Sequence, residues 1–124
     1  MNNTNTITEI FGDVISSYSR AQAIEDGFLC DISPLAKDAG FKYPVAISSG
    51  IHSIVNKAVK GGKDYKGVIW DILSVLLFKI KMSTGSDRIN LTVKIGRANV
   101  QMYSVCSGGD NGEPVITVML PNED

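Results

Sequence analysis

Residues suited to metal and thiol chemistry are scarce in this 124-residue sequence. It contains one histidine and two cysteines, and none of them stands at a metal-ligand spacing such as C-x-x-C or H-x-x-x-H. Cys30 and Cys106 are far apart, so a disulfide framework is not indicated and reduced thiols are expected. The sequence therefore predicts no metal and no cofactor.

Neither a large net charge nor a long apolar run is present. The formal net charge is −1, which excludes a highly acidic DNA mimic and does not indicate nucleic-acid binding, although a local basic patch can exist within a neutral total. The longest apolar stretch, Val68 to Ile80, is interrupted by Asp71, Ser74 and Lys79, and is too short to span a membrane. The polar first six residues do not resemble a signal peptide. We expect a cytoplasmic protein that does not interact with membranes.

The apolar content of 44% is enough for one hydrophobic core. We predict a disordered tail over residues 1–6 and a single domain over residues 7–124. Near the C-terminus, an apolar run from Val115 to Leu120 lies between Pro114 and Pro121 and contains a single polar residue, Thr117. Such a run is typical of a strand covered on both faces.

Periodicity and capping signals predict a series of helices before the final strands. Ser19 and Gln22 form a capping box for a helix over Arg20–Asp26, and Ser33-Pro34 is read as an N-cap followed by the first helical residue. The longest predicted helix spans Tyr65–Met82, and it is apolar on nearly all sides, which places it centrally. Further helices are predicted over Ile7–Tyr18 and from Ser48 or Ser49 to Val59. Trp70 and Tyr103 are predicted to be core or core-edge aromatics.

The period of the pattern changes to two in the last third of the chain. Ile89 to Ile95 alternates between apolar and polar residues, and Val100–Cys106 is predicted to return antiparallel to it. A short strand over Phe28–Ile32 adds an edge, whereas Pro44–Ile47 is read as extended. The predicted fold is α+β: N-terminal helices with a long central helix packed on a three- to four-stranded, mainly antiparallel sheet.

Several candidate sites have ordinary structural interpretations, which we favour. His52 is the one imidazole that could activate Cys106, yet a structural histidine and unreactive thiols are expected. The glycine-rich loop Ser107–Gly112 lacks the lysine of a phosphate-binding loop and is interpreted as a hairpin connection. A group of four lysines is interpreted as a solvated loop: Lys57, Lys60, Lys63 and Lys66.

The most distinctive polar constellation is Arg20 with Asp26 and Asp31. These residues flank the capped helix and the strand after it, so they are expected to lie close together. The constellation predicts either an internal brace, which we favour, or a binding site for an anionic ligand or a partner.

Five segments resemble a family of small uncharacterised bacterial proteins carried on phages, plasmids and integrated elements. The segments occur in the same order as in the family, and the resemblance extends over most of the chain: Tyr18–Ser33, Ala39–Phe41, Pro44–Ala46, Trp70-Asp71 and Gly112–Thr117. The resemblance implies an accessory protein of a mobile element and assigns no catalytic residue. The chain departs from the family because the region before the C-terminal loop is not Arg-rich.

These observations lead to three functional hypotheses. The first is a non-enzymatic accessory protein that binds a host protein, for example a component of an antiviral defence system. The alternative is a protein that binds or sequesters a small ligand such as a nucleotide signal, and the third is an enzyme using Asp26, Asp31 or Glu113 as an acid or base. The sequence leaves open whether the protein forms a homo-oligomer.

Overall fold

The structure, a computed structural model, describes residues 19–83, 85 and 87–123. The predicted tail over residues 1–6 and the predicted helix Ile7–Tyr18 lie outside these residues. The described residues form four helices and five strands. The helices are α1 (Arg20–Glu25), α2 (Ser33–Ala39), α3 (Ser49–Lys60) and α4 (Tyr65–Met82), and the strands are β1 (Leu29–Asp31), β2 (Val45–Ser48), β3 (Arg88–Ile95), β4 (Ala98–Gly108) and β5 (Pro114–Met119).

The five strands form one mixed sheet in the order β1-β2-β5-β4-β3. All neighbouring pairs are antiparallel except β2 and β5, which run parallel. The fold is α+β as predicted, but the prediction of three to four strands was too low. The strand that it missed is β2, because a run of four residues buried on both faces has no alternating pattern to identify it.

The C-terminal strand β5 is the middle strand of the sheet. It pairs with β2 on one side and with β4 on the other. Val115 and Ile116 point to opposite faces and both are buried, and Val118 is completely buried. The prediction of a strand covered on both faces is confirmed for these residues.

Helices α2, α3 and α4 form a helix layer that packs on one face of the sheet. The core joins Ile69, Ile72 and Leu76 of α4 to strand residues that include Leu91 and Val93 of β3. The bounds of α4 agree with the prediction, and the Asp64 side chain caps its N-terminus by accepting a hydrogen bond from Gly67 N. Among the described residues, no helix is long and apolar enough to cross a membrane.

The predicted central position of α4 applies to the side that faces the sheet, whereas the other side is exposed. Phe78 is 63% exposed, Met82 68% and Trp70 42%, so Trp70 is not a core residue, whereas Tyr103 is buried as predicted. The physical reason is the number of layers: a single sheet covers one side of α4, and α2 and α3 flank it without enclosing it.

Helix α1 is held against the other side of the sheet. Ser19 caps it as predicted, with its hydroxyl accepting from Gln22 N at 2.9 Å. For α2 the predicted cap was wrong, since Ile32 is the N-cap residue and Ser33 is already helical. The Ser33 hydroxyl instead accepts from Val45 N at 3.1 Å and donates to Asp31, which ties β1 to β2.

Candidate functional site

The Arg20 side chain reaches from α1 to the central strand of the sheet. Its Nη1 donates to Thr117 Oγ1 at 2.7 Å and its Nη2 donates to the carbonyl oxygen of Ile116 at 2.9 Å. Side chains alternate along a strand, so Thr117 points away from the helix layer that Ile116 faces. Arg20 therefore binds β5 on the face opposite the helix layer, where it braces α1 to the sheet.

The glycine-rich loop between β4 and β5 holds the start of α1. The Asp110 carboxylate accepts from Arg20 N at 2.7 Å and from Ala21 N at 3.1 Å. Within the loop, Asn111 N donates to the Glu113 side chain and Gly112 N donates to Gly109 O. Because these amides are already hydrogen-bonded, the loop acts as a connection that anchors α1, and it does not present a phosphate cradle.

The two predicted acidic partners of Arg20 occupy different places. Asp31 is in register with Ala46 on β2, and Ala46 is in register with Thr117, so Asp31 and Thr117 lie in one row across the sheet. The small side chain of Ala46 separates them, and the negative charge of Asp31 acts on the guanidinium of Arg20. Asp26 is the C-cap residue of α1, at the end of the helix remote from Arg20.

The Arg20 corner, formed by Arg20, Asp31, Asp110, Thr117 and Glu113, has an excess of negative charge. Burial lowers the pKa of the Arg20 guanidinium, and the carboxylates of Asp31, Asp110 and Glu113 oppose that effect. One guanidinium faces three carboxylates, and it already donates to Thr117 and Ile116. This balance favours the internal brace over a site for an anionic ligand such as a nucleotide.

Replacing Arg20 with methionine should lower the free energy of unfolding by about 1–3 kcal/mol, because the half-buried carbonyl of Ile116 loses its charged donor. In a Thr117→Val background the same replacement should cost less, since one of the two bonds is already absent. Denaturant unfolding measures both values, with the exposed Arg97→Met as the control. A loss no larger than that of the control would show that Arg20 is not a brace.

His52 and Cys30 both contact Tyr65, whereas Cys106 lies on a different strand. His52 packs edge-to-face on Tyr65 with ring centroids 6.0 Å apart, and its Nδ1 is 3.4 Å from Asn56 Nδ2. Burial raises the pKa of the Tyr65 hydroxyl, and its hydrogen bond with Cys30 adds to the rise. Cys106 is an exposed thiol on β4. The described residues include no group of three or more His, Cys, Asp or Glu that could hold a metal ion.

A surface that the sequence interpretation did not identify runs along the outer side of α4. Trp70, Ser74, Phe78 and Met82 are spaced four residues apart and all are exposed. Residues at this spacing are neighbours on a helix surface, and the four positions lie within about 120° of the helix circumference. We call these four residues the α4 ridge. Their spacing is visible in the sequence, but Phe78 was assigned to the apolar face of the helix and Trp70 to the core or its edge, because nearly every side of α4 is rich in apolar residues.

The helix layer that carries the α4 ridge is basic. Residues 33–83 contain eight lysines and three aspartates and no arginine or glutamate, a formal charge of +5, so the rest of the chain carries −6 of the total of −1. All eight lysines are exposed. Lys66 precedes Trp70 by four residues and Lys81 follows Phe78 by three, which places both beside the ridge. The near-neutral total thus conceals a basic layer with an apolar ridge.

No protein-family model, curated protein or solved structure matches the chain. The resemblance described above therefore stays a prediction.

Proposed function

We propose that the protein acts by binding rather than by catalysis, and that the α4 ridge recognises an acidic, partly apolar segment of another protein. The observation that carries this proposal is the exposure of Trp70, Phe78 and Met82 in one row, between lysines, on a helix whose other side is core. Aromatic residues and methionine are enriched in protein interfaces, and tryptophan is typical of their hot spots.

The chemistry of the ridge favours a protein over a nucleic acid. The basic side chains of the helix layer are all lysines, whereas bidentate contact with phosphates and bases is typical of arginine. Phe78 and Met82 add apolar area that a phosphate backbone does not match. Carboxylates around an apolar strip on the partner would complement both the lysines and the ridge.

We further propose that the partner is a host protein, with a component of an antiviral defence system as the example implied by the mobile-element resemblance. This part of the proposal rests on the resemblance alone, whereas the chemistry of the partner's surface rests on the α4 ridge.

The single tryptophan of the chain lies on the proposed surface, so its fluorescence reports binding directly. We expect a synthetic amphipathic peptide rich in Glu, Leu and Phe to shift the emission of Trp70 to the blue. The double reversal Lys66→Glu/Lys81→Glu should weaken this binding about tenfold, and Phe78→Ser at least about tenfold.

Two controls show whether a loss of peptide binding comes from the ridge itself, from the change in net charge or from unfolding. The double reversal Lys94→Glu/Arg97→Glu makes the same change of charge on exposed residues of the β3–β4 hairpin, and it should leave peptide binding unchanged. Phe78→Ser should alter the free energy of unfolding by less than about 0.5 kcal/mol, because the side chain is exposed. Equal weakening by both double reversals, or tighter binding of duplex DNA than of the peptide, would contradict the proposal.

A further inference from the structure

A pocket of about 300 Å³ opens where α4 ends and the sheet continues. The C-cap of α4 is Ser83, while β3, β4 and β5 extend past this point on their helix-facing side. Tyr43, from the segment before β2, contributes the opposite wall. The side chains that matter for the argument are Tyr43, Ile80, Ile89, Ser104, Cys106 and Ile116.

Ser104 places a hydroxyl inside this mostly apolar pocket. It is in register with Ile89 on β3 and with Val118 on β5, so its side chain points toward the helix layer. Ser104 is 3% exposed. Among the residues that the structure describes, its hydroxyl has no hydrogen-bond partner. A ligand that fills the pocket would exclude water from this hydroxyl, so the most favourable ligand is one that offers Ser104 a hydrogen-bond partner of its own.

The size and charge of the pocket define the ligand class. A dry apolar cavity of about 150 Å³ accommodates benzene, so this pocket has room for roughly two fused rings or a short alkyl chain. Asp87 is the one charged residue among its described lining residues, which disfavours an anion. Cys106 stands at the entrance as an exposed thiol.

We propose that this pocket binds a neutral, mostly apolar small molecule that places one hydrogen-bonding group against Ser104. The site is separate from the α4 ridge, because its lining residues and the ridge residues do not overlap. It also differs in chemistry from a nucleotide site, since its described lining residues include no cationic side chain.

The test compares 2-naphthol with naphthalene, which differ by one hydroxyl, in titrations followed by protein NMR. We expect both to bind the wild-type protein, with 2-naphthol bound about tenfold more tightly, the worth of a well-placed hydrogen bond in a buried site. Ser104→Ala should abolish this difference while naphthalene still binds. Cys106→Phe should block both compounds by filling the entrance, whereas Ser107→Phe, on the other face of β4, should not.

A second measurement uses the entrance thiol. In a Cys30→Ser variant, Cys106 is the remaining cysteine, and 2-naphthol at ten times its dissociation constant should slow maleimide labelling about elevenfold, because the thiol reacts in the free fraction. Unchanged labelling, or equal affinity of the two compounds for the wild-type protein, would overturn the proposal. Peptide binding at the α4 ridge should be unaffected by Cys106→Phe, so the two proposals can fail independently.

Discussion

Replacing Val118 with aspartate is expected to abolish the soluble folded protein. Val118 is completely buried in the middle strand of the sheet, between β2 and β4. A carboxylate at this position would be buried among apolar side chains without a partner, at a cost of several kcal/mol, which is comparable to the total stability of a small domain. Circular dichroism and size-exclusion chromatography of the expressed variant measure the outcome.

The matched control for Val118→Asp is Thr92→Asp, which places the same carboxylate on an exposed position of the edge strand β3. This variant should remain folded, with a change in the free energy of unfolding of less than about 0.5 kcal/mol. A Val118→Asp protein that unfolds cooperatively at an unchanged temperature would show that β5 is not a central strand.

The second large effect is expected from Leu76→Ala in α4. Leu76 is completely buried in the core, where α4 faces the sheet. Its truncation should lower the free energy of unfolding by about 2–5 kcal/mol, because apolar contacts are lost and a cavity remains. Urea denaturation measures the change, and Ser74→Ala, an exposed position on the same helix, should have almost no effect.

A cost below about 0.5 kcal/mol for Leu76→Ala would place this side of α4 at a surface. The assignment of one side of α4 to the core and the other to binding would then be wrong. The pair Leu76 and Phe78 therefore tests the orientation of the helix: the first should affect stability and the second should affect peptide binding.

The sequence predicted the elements that depend on interactions between residues close together in the chain. The helix cap at Ser19 and the antiparallel hairpin of β3 and β4 depend on residues close in sequence, and both are present. The four buried residues of β2 could not be assigned to the sheet in this way, because its parallel pairing with β5 joins segments about 70 residues apart. Long-range pairing of this kind is determined by the whole core.

The candidate site, too, was predicted correctly only in part, because its contacts join residues far apart in sequence. Arg20 was identified as a brace, but its bonds are to Thr117 and Ile116, whereas the sequence suggested its neighbours Asp26 and Asp31. Sequence proximity could not reveal that α1 lies over the middle of the sheet. The α4 ridge was missed for a different reason, since an apolar residue on a helix gives the same signal whether it faces a core or a partner.

The most direct measurement of the central claim is site-specific photo-cross-linking in cells. A benzophenone amino acid replaces Trp70 in one variant. In the other it replaces the exposed Arg97, which lies in the β3–β4 hairpin and outside the basic helix layer. We predict a protein cross-link from position 70 that maps to an acidic, partly apolar segment of the partner and disappears with Lys66→Glu/Lys81→Glu. A cross-link of equal yield from position 97, one that survives the charge reversal, or a product sensitive to nuclease would contradict the assignment of the α4 ridge as a protein-binding surface.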